Sequence, residues 1–336
     1  MGEFELLALL RERLPAAGSQ VRLGSGDDAA VTVPGGAVAT SVDALVEGVH
    51  FRRDTASLRQ IGRKAISTAL SDLAAMGAAP GEAYVWLGAQ EGMDEAGLLE
   101  VGEGLAAVAA ETGTTIAGGD LTRAPVLSLA VTVTGHAPNP DDFVTRGGAR
   151  PGDVLVVTGE LGGAAAGLLL LEDPTPDADE RVDVRTADAL RERQLDPTPR
   201  LAAGQALAAA GATAMIDVSD GLAGDAGHVA TAGGALLLID ADALPIAPGV
   251  AAVAAAAGRD PLELAAAGGE DYELLAALPP DAVAPAQEAL AALGTPLTAV
   301  GKVEAAEGRA RAELRRRGGG AVPIRGFDQL RPRRPR

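Results

Sequence analysis

Seven aspartates in this chain stand beside glycine or serine, or close a short apolar run, at the points where such runs stop. Asp27 and Asp28 sit in Gly-Ser-Gly-Asp-Asp-Ala-Ala-Val (24–31), Asp43 closes the run 37–42, and Asp72 lies in Leu-Ser-Asp-Leu-Ala-Ala-Met-Gly (70–77). Asp120 follows Ile116-Ala117-Gly118-Gly119, Asp217 and Asp220 frame Asp-Val-Ser-Asp-Gly-Leu (217–222), and the pair Glu270-Asp271 follows Gly268-Gly269. Strand and helix ends are where side chains converge on a cleft and where glycine lets the backbone approach a ligand. A fold that gathers these carboxylates must neutralise them, because like charges in one cleft repel, and hard oxygen donors suit Mg²⁺. Taken singly, each is equally a turn or helix-cap aspartate, Asp220 above all, and Asp72 equally a carboxylate on a helix face.

Periodicity places these acids on an alternating α/β chain. Phe4, Leu7, Leu10 and Leu14 predict a helix over 3–14, followed by short strands over 21–23, 30–33 and 37–42. Ile61, Ala65, Ala69, Leu73 and Met76 form one stripe of a helix over 58–76 with Gly77 as its stop. A strand over 82–89, a helix over 94–111 and a strand over 126–135 complete a first domain, 1–137. Residues 138–153 hold Pro138, Pro140, Gly147, Gly148, Pro151 and Gly152 and read as a connection. In the second domain, 154–328, strands over 154–158, 214–218, 235–239 and 297–303 alternate with helices over 164–171, 199–210, 221–231 and 281–293, a mixed α/β pattern. The Gly-rich turn 158–164 has two readings, an N–H cradle for an anion or a tight strand-to-helix turn. The basic, Pro-rich tail 329–336 is expected to be disordered.

Composition narrows the chemistry. The 336 residues suffice for about two domains. Lys+Arg total 28 against 46 Asp+Glu, and the net charge of −18 disfavours nucleic acid and anionic membrane surfaces as partners. The absence of cysteine removes disulfides, zinc–thiolate sites, iron–sulfur clusters and thiol nucleophiles. No apolar run reaches the roughly 20 residues of a membrane span, and Met1-Gly2-Glu3-Phe4-Glu5 is acidic where a signal peptide is basic, so a soluble cytoplasmic protein is expected. With one Trp, two Tyr and four Phe, the core must rest on Ala, Leu and Val.

Familiar nucleotide motifs are missing. Gly301-Lys302-Val303 lacks the hydroxyl of a P-loop, and Gly24-Ser25-Gly26-Asp27-Asp28-Ala29 would turn two carboxylates toward a pyrophosphate. His50, His136 and His228 have no helical partner for a metal, and no G-x-S-x-G elbow exists. Cations near the acidic turns are few: Arg63, Lys64, Arg123 and Arg146. An acidic cleft without a lysine cradle holds a polyphosphate only through metal bridges, which points to a nucleotide enzyme of the carboxylate–Mg²⁺ kind.

Together these motifs resemble the thiamine-monophosphate kinases, a family related to aminoimidazole ribonucleotide synthetase, selenophosphate synthetase and the hydrogenase maturation factor HypE. The matching segments are Gly-Asp-Asp-Ala-Ala (26–30), Ser-Val-Asp-Ala-Leu-Val-Glu-Gly-Val-His-Phe (41–51), Leu-Ser-Asp-Leu-Ala-Ala-Met-Gly-Ala (70–78) and Gly-Gly-Asp-Leu-Thr-Arg (118–123). They continue through Thr-Arg-Gly-Gly-Ala-Arg-Pro-Gly-Asp (145–153), Ile-Asp-Val-Ser-Asp-Gly-Leu (216–222) and Gly-Gly-Glu-Asp-Tyr-Glu-Leu (268–274). The His50-Phe51 ending and the last segment single out the kinases within the superfamily.

The resemblance implies ATP-dependent phosphorylation of thiamine monophosphate to thiamine diphosphate by direct in-line transfer with several Mg²⁺ ions. It implies a two-domain α/β fold like that of aminoimidazole ribonucleotide synthetase, in a homodimer whose N-terminal mixed sheets join into a barrel beside a C-terminal α/β domain. Asp27, Asp28, Asp43, Asp72, Asp120, Asp217 and Asp220 are then implied metal ligands, with Ser41 and Val42 contributing through oxygen or water. Gly119, Asp120, Arg146 and Ser219 are implied ATP contacts, and His50, Glu270 and Phe327 implied lining of the thiamine site. No catalytic side chain is implied, since the acceptor phosphate is already ionised. Two other readings stand beside this one: another ATP-dependent synthetase of the superfamily with a different substrate, or a non-catalytic Mg²⁺- or nucleotide-binding regulator. The lack of cysteine disfavours selenophosphate synthetase and HypE among the former.

Overall fold

A computed structural model of the chain describes residues 3–24, 29–172, 182–317 and 321–322. It divides into two compact units, Met1–Phe143 with Leu195–Leu201, and Val144–Gln194 with Ala202–Arg336. The seven residues Leu195–Leu201 pack with the first unit although they lie inside the stretch expected to form the second. The tail 329–336 lies outside the described residues.

The first unit contains α1 (Glu3–Arg13), a two-stranded ribbon β1 (Val21–Leu23) and β2 (Val31–Thr32), and then β3 (Ala37–Val46), α2 (Leu58–Ala75), β4 (Ala79–Gln90), α3 (Glu95–Thr112), β5 (Thr115–Ala124) and β6 (Ser128–Ala137). The last four strands form one sheet in the order β3-β6-β4-β5, parallel only between β4 and β5. Ser57 and Gln60 close a capping box at the start of α2, and Gly77 ends it at φ +66. The expected stripe is buried at Ile61, Ala65, Ala69 and Leu73, but burial extends to Lys64, Ser67, Thr68 and Ser71. The reason is that α2 packs on both the sheet and α3, so little of it beyond its first turn faces solvent. Where α2 crosses α3, a Cβ on Gly62 would lie 2.1 Å from the Val101 carbonyl oxygen and one on Gly104 would lie 2.1 Å from that of Arg59. Only glycine permits that approach.

On β6, Leu129, Val131 and Val133 turn toward the helices. The opposite face is open: Val38, Val42 and Trp86 are 44%, 64% and 36% exposed. Strand β5 has no signal in its alternation, because Gly118 and Gly119 interrupt it. Gly119 is accommodated because its backbone lies against β4, where a Cβ would meet the Val85 carbonyl oxygen at 2.1 Å.

The second unit carries β7 (Val154–Thr158), α4 (Gly163–Glu172), α5 (Val184–Leu195), α6 (Leu201–Ala209), β8 (Ala214–Asp217), α7 (Leu222–Gly233), β9 (Ala235–Asp240), α8 (Val250–Ala256), α9 (Pro261–Ala267), β10 (Leu274–Leu278), α10 (Val283–Ala292), β11 (Leu297–Ala305), β12 (Arg311–Arg315) and β13 (Ala321–Val322). The strands form one sheet, β13-β12-β9-β11-β7-β10-β8, parallel only where β12 meets β9. Strand β10, Leu-Leu-Ala-Ala-Leu, is buried at every position and therefore shows no alternation to read. It lies between β7 and β8, so the residues preceding it are drawn against the end of β8.

The glycine contact between α2 and α3 can be tested directly. Gly104→Val should lower unfolding stability by about 1–3 kcal/mol in urea titrations, with the secondary structure retained. An unchanged midpoint would mean the helices separate without cost.

Candidate active site

In the first unit, alternation along β3 turns Ser41, Asp43 and Leu45 to one face and Val42 to the other. Leu45 is buried and β3 packs on α2, so the face bearing Ser41 and Asp43 is the helix-side one. The Ser41 hydroxyl donates to the Asp72 Oδ2 from α2. Ser41, Asp43 and Asp72 are thus gathered at one place, with the Ala44 N–H donating to Asp43 Oδ1 at 2.8 Å. Asp120 is not beside them. Register runs from Asp43 to Val131 on β6, then to Val85 on β4, then to Gly119 on β5. Three strand spacings separate the two acids, about 14 Å.

His50 closes its own turn, accepting the Val46 N–H at Nδ1 (3.1 Å) while its backbone N–H donates to the Val46 carbonyl. That leaves Nε2 for a ligand. Arg63 is committed elsewhere, donating to both oxygens of Glu111 (2.8 and 3.0 Å) and to Asp196 (2.5 Å), and these carboxylates raise its pKa. It does not serve as a phosphate clamp.

In the second unit the acidic turn and the Gly-Gly-Glu-Asp segment are joined through the backbone. Val218 N–H donates to the Glu273 carbonyl (2.7 Å), Tyr272 N–H to that of Val218 (2.9 Å), and Glu270 N–H to that of Ser219 (2.8 Å). Glu270 and Tyr272 take left-handed backbone angles, φ +69 and +48, unfavourable for residues with a Cβ and held here by those bonds. Ser219, Asp220 and Glu270 therefore sit on one rigid piece. The Glu270 carboxylate also accepts from the buried Gln194 amide. The turn Arg146–Gly148 runs beside β8, with Met215 N–H donating to the Thr145 carbonyl at 3.2 Å, and Arg146 is exposed.

Two aspartates, the buried Asp225 and the half-buried Asp271, brace this piece. Asp225 accepts the N–H groups of Ser219 (3.1 Å) and Asp220 (3.2 Å). Burial first, then the charges of Asp217 and Asp220, push its pKa up to about 8. Asp271 accepts the N–H groups of Gly162 (2.7 Å) and Ala164 (3.1 Å), and burial pushes it up to about 7. Of the two readings of the turn 158–164, the structure therefore takes the tight turn: the N–H groups an anion would need at the start of α4 are filled by Asp271. Asp225 was hidden in the sequence because it sits in the first turn of a helix among Ala and Gly, where an acid is ordinary, and Gln194 because nothing local marks it. Asp27, Asp28 and Phe327 lie outside the described residues.

The donors fit a hard divalent cation. Asp217 and Asp225 are buried with Asp220 beside them, and the strain of their like charges, seen in the raised Asp225, is what a cation such as Mg²⁺ relieves.

Family models for AIR synthase related proteins match residues 26–137 (N-terminal domain) and 150–312 (C-terminal domain). A thiamine-monophosphate kinase from Salmonella typhimurium is 38% identical over 306 residues, covering 90% of this chain and 91% of the relative. Among solved structures, the thiamine-monophosphate kinase of Stenotrophomonas maltophilia superposes with a TM-score of 0.82 at 34% identity over 95% of this chain and 98% of that one. The chain belongs to the thiamine-monophosphate kinase family. Another member, AaThiL complexed with AMPPCP and TMP, superposes with a TM-score of 0.74 at 29% identity over 97% of this chain and 96% of its own.

Membership of the thiamine-monophosphate kinases bears out the resemblance and the two-domain mixed α/β fold. As for membranes, no helix among the described residues is long and apolar enough to cross one. The raised pKa values make a pH prediction for a member of this family without its metal. Asp225 and Asp271 hold protons in the native state that the unfolded chain has released, so their contribution to stability is present at acid pH and lost as pH rises through about 7 to 8. Asp54, Glu111, Asp183 and Glu313 are lowered and act oppositely, but only below the ordinary carboxylate range. Metal-free protein should therefore melt lower at about pH 8.5 than at about pH 5.5, with Mg²⁺ restoring the difference. A Tm that rises across that interval would contradict the buried pair.

Proposed function

We propose that this chain transfers the γ-phosphoryl group of ATP directly to thiamine monophosphate, giving thiamine diphosphate. The observation that carries the reading is the rigid piece in the second unit, which ties the proposed nucleotide turn, with the acids Asp217 and Asp220 and the hydroxyl of Ser219, to Glu270. Relatives along the whole chain carry the kinase name, and one solved member holds an ATP analogue with TMP.

The proposed ligands for magnesium are Asp43, Asp72 and Asp120 in the first unit and Asp217 and Asp220 in the second, with Asp27 and Asp28 assigned from sequence and Ser41 and Val42 acting through oxygen or water. Bound magnesium would neutralise phosphate charge and orient both substrates. Two unit charges about 4 Å apart repel by about 1 kcal/mol in water and about 4 kcal/mol at an effective dielectric of 20, and donor and acceptor here each carry more than one. Because the acceptor is a phosphate already ionised near neutrality, no general base is needed, and positioning with charge neutralisation suffices. Gly119, Asp120, Arg146 and Ser219 are assigned to ATP. Glu270 presents a carboxylate to the cationic thiazolium, with His50 and Phe327 offering ring surfaces. A cytoplasmic site of action goes with the use of ATP.

We also propose a homodimer. A magnesium ion with ligands at about 2.1 Å spans only about 4 Å between opposite oxygens, so Asp43 and Asp120 of one copy, about 14 Å apart, cannot share it. They lie on the two outer strands of the four-stranded sheet, β3 and β5. Edge-to-edge pairing with a second copy would close eight strands into a barrel and cover the open face bearing Val38, Val42 and Trp86, the face on which register also places Asp120.

Protein supplied with ATP, Mg²⁺ and thiamine monophosphate should form thiamine diphosphate, and Asp43→Asn or Asp220→Asn should each cut kcat by about 100-fold or more without loss of folding. Turnover only with other phosphorylated acceptors would favour a different synthetase activity, and binding without turnover a regulator. Val42→Glu together with Trp86→Lys should shift the sedimenting species from dimer to monomer; a wild-type monomer would end the dimer proposal.

A further inference from the structure

We infer that Asp225 is a positioning residue for phosphoryl transfer: from inside a helix its carboxylate reaches backward, takes up the N–H groups of Ser219 and Asp220, and fixes the turn that presents Asp217, Ser219 and Asp220. The inference rests on the assignment of that turn to magnesium and nucleotide.

The reach of the hydrogen bonds separates this from ordinary helix capping. A capping side chain reaches forward from before the helix to N–H groups in its first turn or, as Gln60 does in the capping box of α2, backward to the N–H of the N-cap residue, whereas Asp225 reaches past the N-cap residue to the two residues before it. Here the helix Leu222–Gly233 begins at Gly221, which sits at φ +100 and gives no side-chain cap. Asp225 has its own N–H bonded to the Gly221 carbonyl at 3.1 Å, so its backbone is spent on the helix. Its Oδ2 then binds two N–H groups that lie before the helix, at 3.1 and 3.2 Å. What those bonds order is the turn.

The placement is costly unless it has a use. Asp225 is 2% exposed and Asp217 4%, with Asp220 facing them, so a third carboxylate is buried where two already repel. His228 follows one turn later, and ligand atoms of Asp220, Asp225 and His228 lie within 4.8 Å of one another. A direct ligand role for Asp225 is therefore the competing account. The geometry favours positioning, because Asp225 Oδ2 is engaged by two backbone donors and imidazole is a poor partner for magnesium.

Asp225→Asn keeps an oxygen that can accept both N–H groups and removes the charge, whereas Asp225→Ala removes the acceptor. Calorimetry with Mg·AMPPCP and, separately, with thiamine monophosphate should show Asp225→Asn within about threefold of wild type for both. Asp225→Ala should weaken Mg·AMPPCP about tenfold or more while thiamine monophosphate changes less than about twofold. In kinetics the loss should fall on KM for ATP and on kcat, not on KM for thiamine monophosphate. Amide hydrogen exchange at Ser219 and Asp220, measured without ligand, should quicken in the Ala variant and not in the Asn variant. Should Asp225→Ala fail to fold, Asp225→Ser takes its place, since its hydroxyl is too short to reach and leaves room for water. Equal losses in the Asn and Ala variants would overturn the inference in favour of a ligand or charge role. Wild-type affinity in the Ala variant, or parallel loss of both ligands, would overturn it outright. Wild-type protein that binds no Mg·AMPPCP would instead remove the kinase reading itself.

Discussion

Like charges brought into one small volume have to be separated, neutralised or protonated, and the placement of acids in this chain follows from that constraint. The second unit shows how far a protein can go with its own atoms. Asp225 and Asp271 are each buried against two backbone N–H groups, which favour the ionised form, yet burial and neighbouring carboxylates outweigh them and raise both groups toward neutrality. Backbone dipoles alone do not finish the neutralisation. The outermost acids of the turn, Asp217 and Asp220, add to the load on Asp225, and a divalent cation removes the conflict at its source.

Two arginines of the chain, Arg63 and Arg193, are kept away from this work. Arg63, a residue of the helix that carries Asp72, is tied to Glu111 and Asp196. Arg193 is bound to the side chain and carbonyl of Glu160. A fixed guanidinium in the acid cluster would lower its charge permanently and weaken its hold on a metal. Pairing these two arginines with other carboxylates preserves the negative field where a metal nucleotide is proposed to be drawn in, and leaves a direct grip on phosphate to other residues such as Arg146.

The helices and strands with one buried face were legible in the sequence: the helix 58–76 and its Gly77 stop, the strand 126–135 and the acids at the ends of apolar runs all follow from local rules. What escaped was set by tertiary contacts. Strand β10 alternates nowhere because both its faces are covered, and β5 contains two glycines whose reason is the adjacent strand. In the candidate site the residues that show in the sequence are those at turns. Asp225, Asp271 and Gln194, which hold those turns in place, did not show, because their partners lie at other places along the chain or in a turn whose shape the sequence does not fix. Asp271 was visible as an acid but its employment was not: only the fold reveals that it fills the N–H groups at the head of α4.

The backbone bonds between 218–219 and 270–273 also bear on selectivity. A substrate carrying a fixed cationic ring and a phosphate must satisfy two opposite demands, an acid near the ring and shielded charge near the phosphate. If Glu270 and the turn proposed to hold magnesium moved independently, the carboxylate proposed to attract the ring could drift toward the phosphates and repel them. With Glu270 N–H bonded to the Ser219 carbonyl and Glu270 and Tyr272 themselves held at positive φ, that drift is restrained, and the backbone separation between Glu270 and Asp220 is set by covalent geometry and three short hydrogen bonds. Under the proposed assignment, strain at Glu270 and Tyr272 is the local cost of holding apart two charges of the same sign, one offered to the ring of the ligand and one to the cation that shields its phosphates.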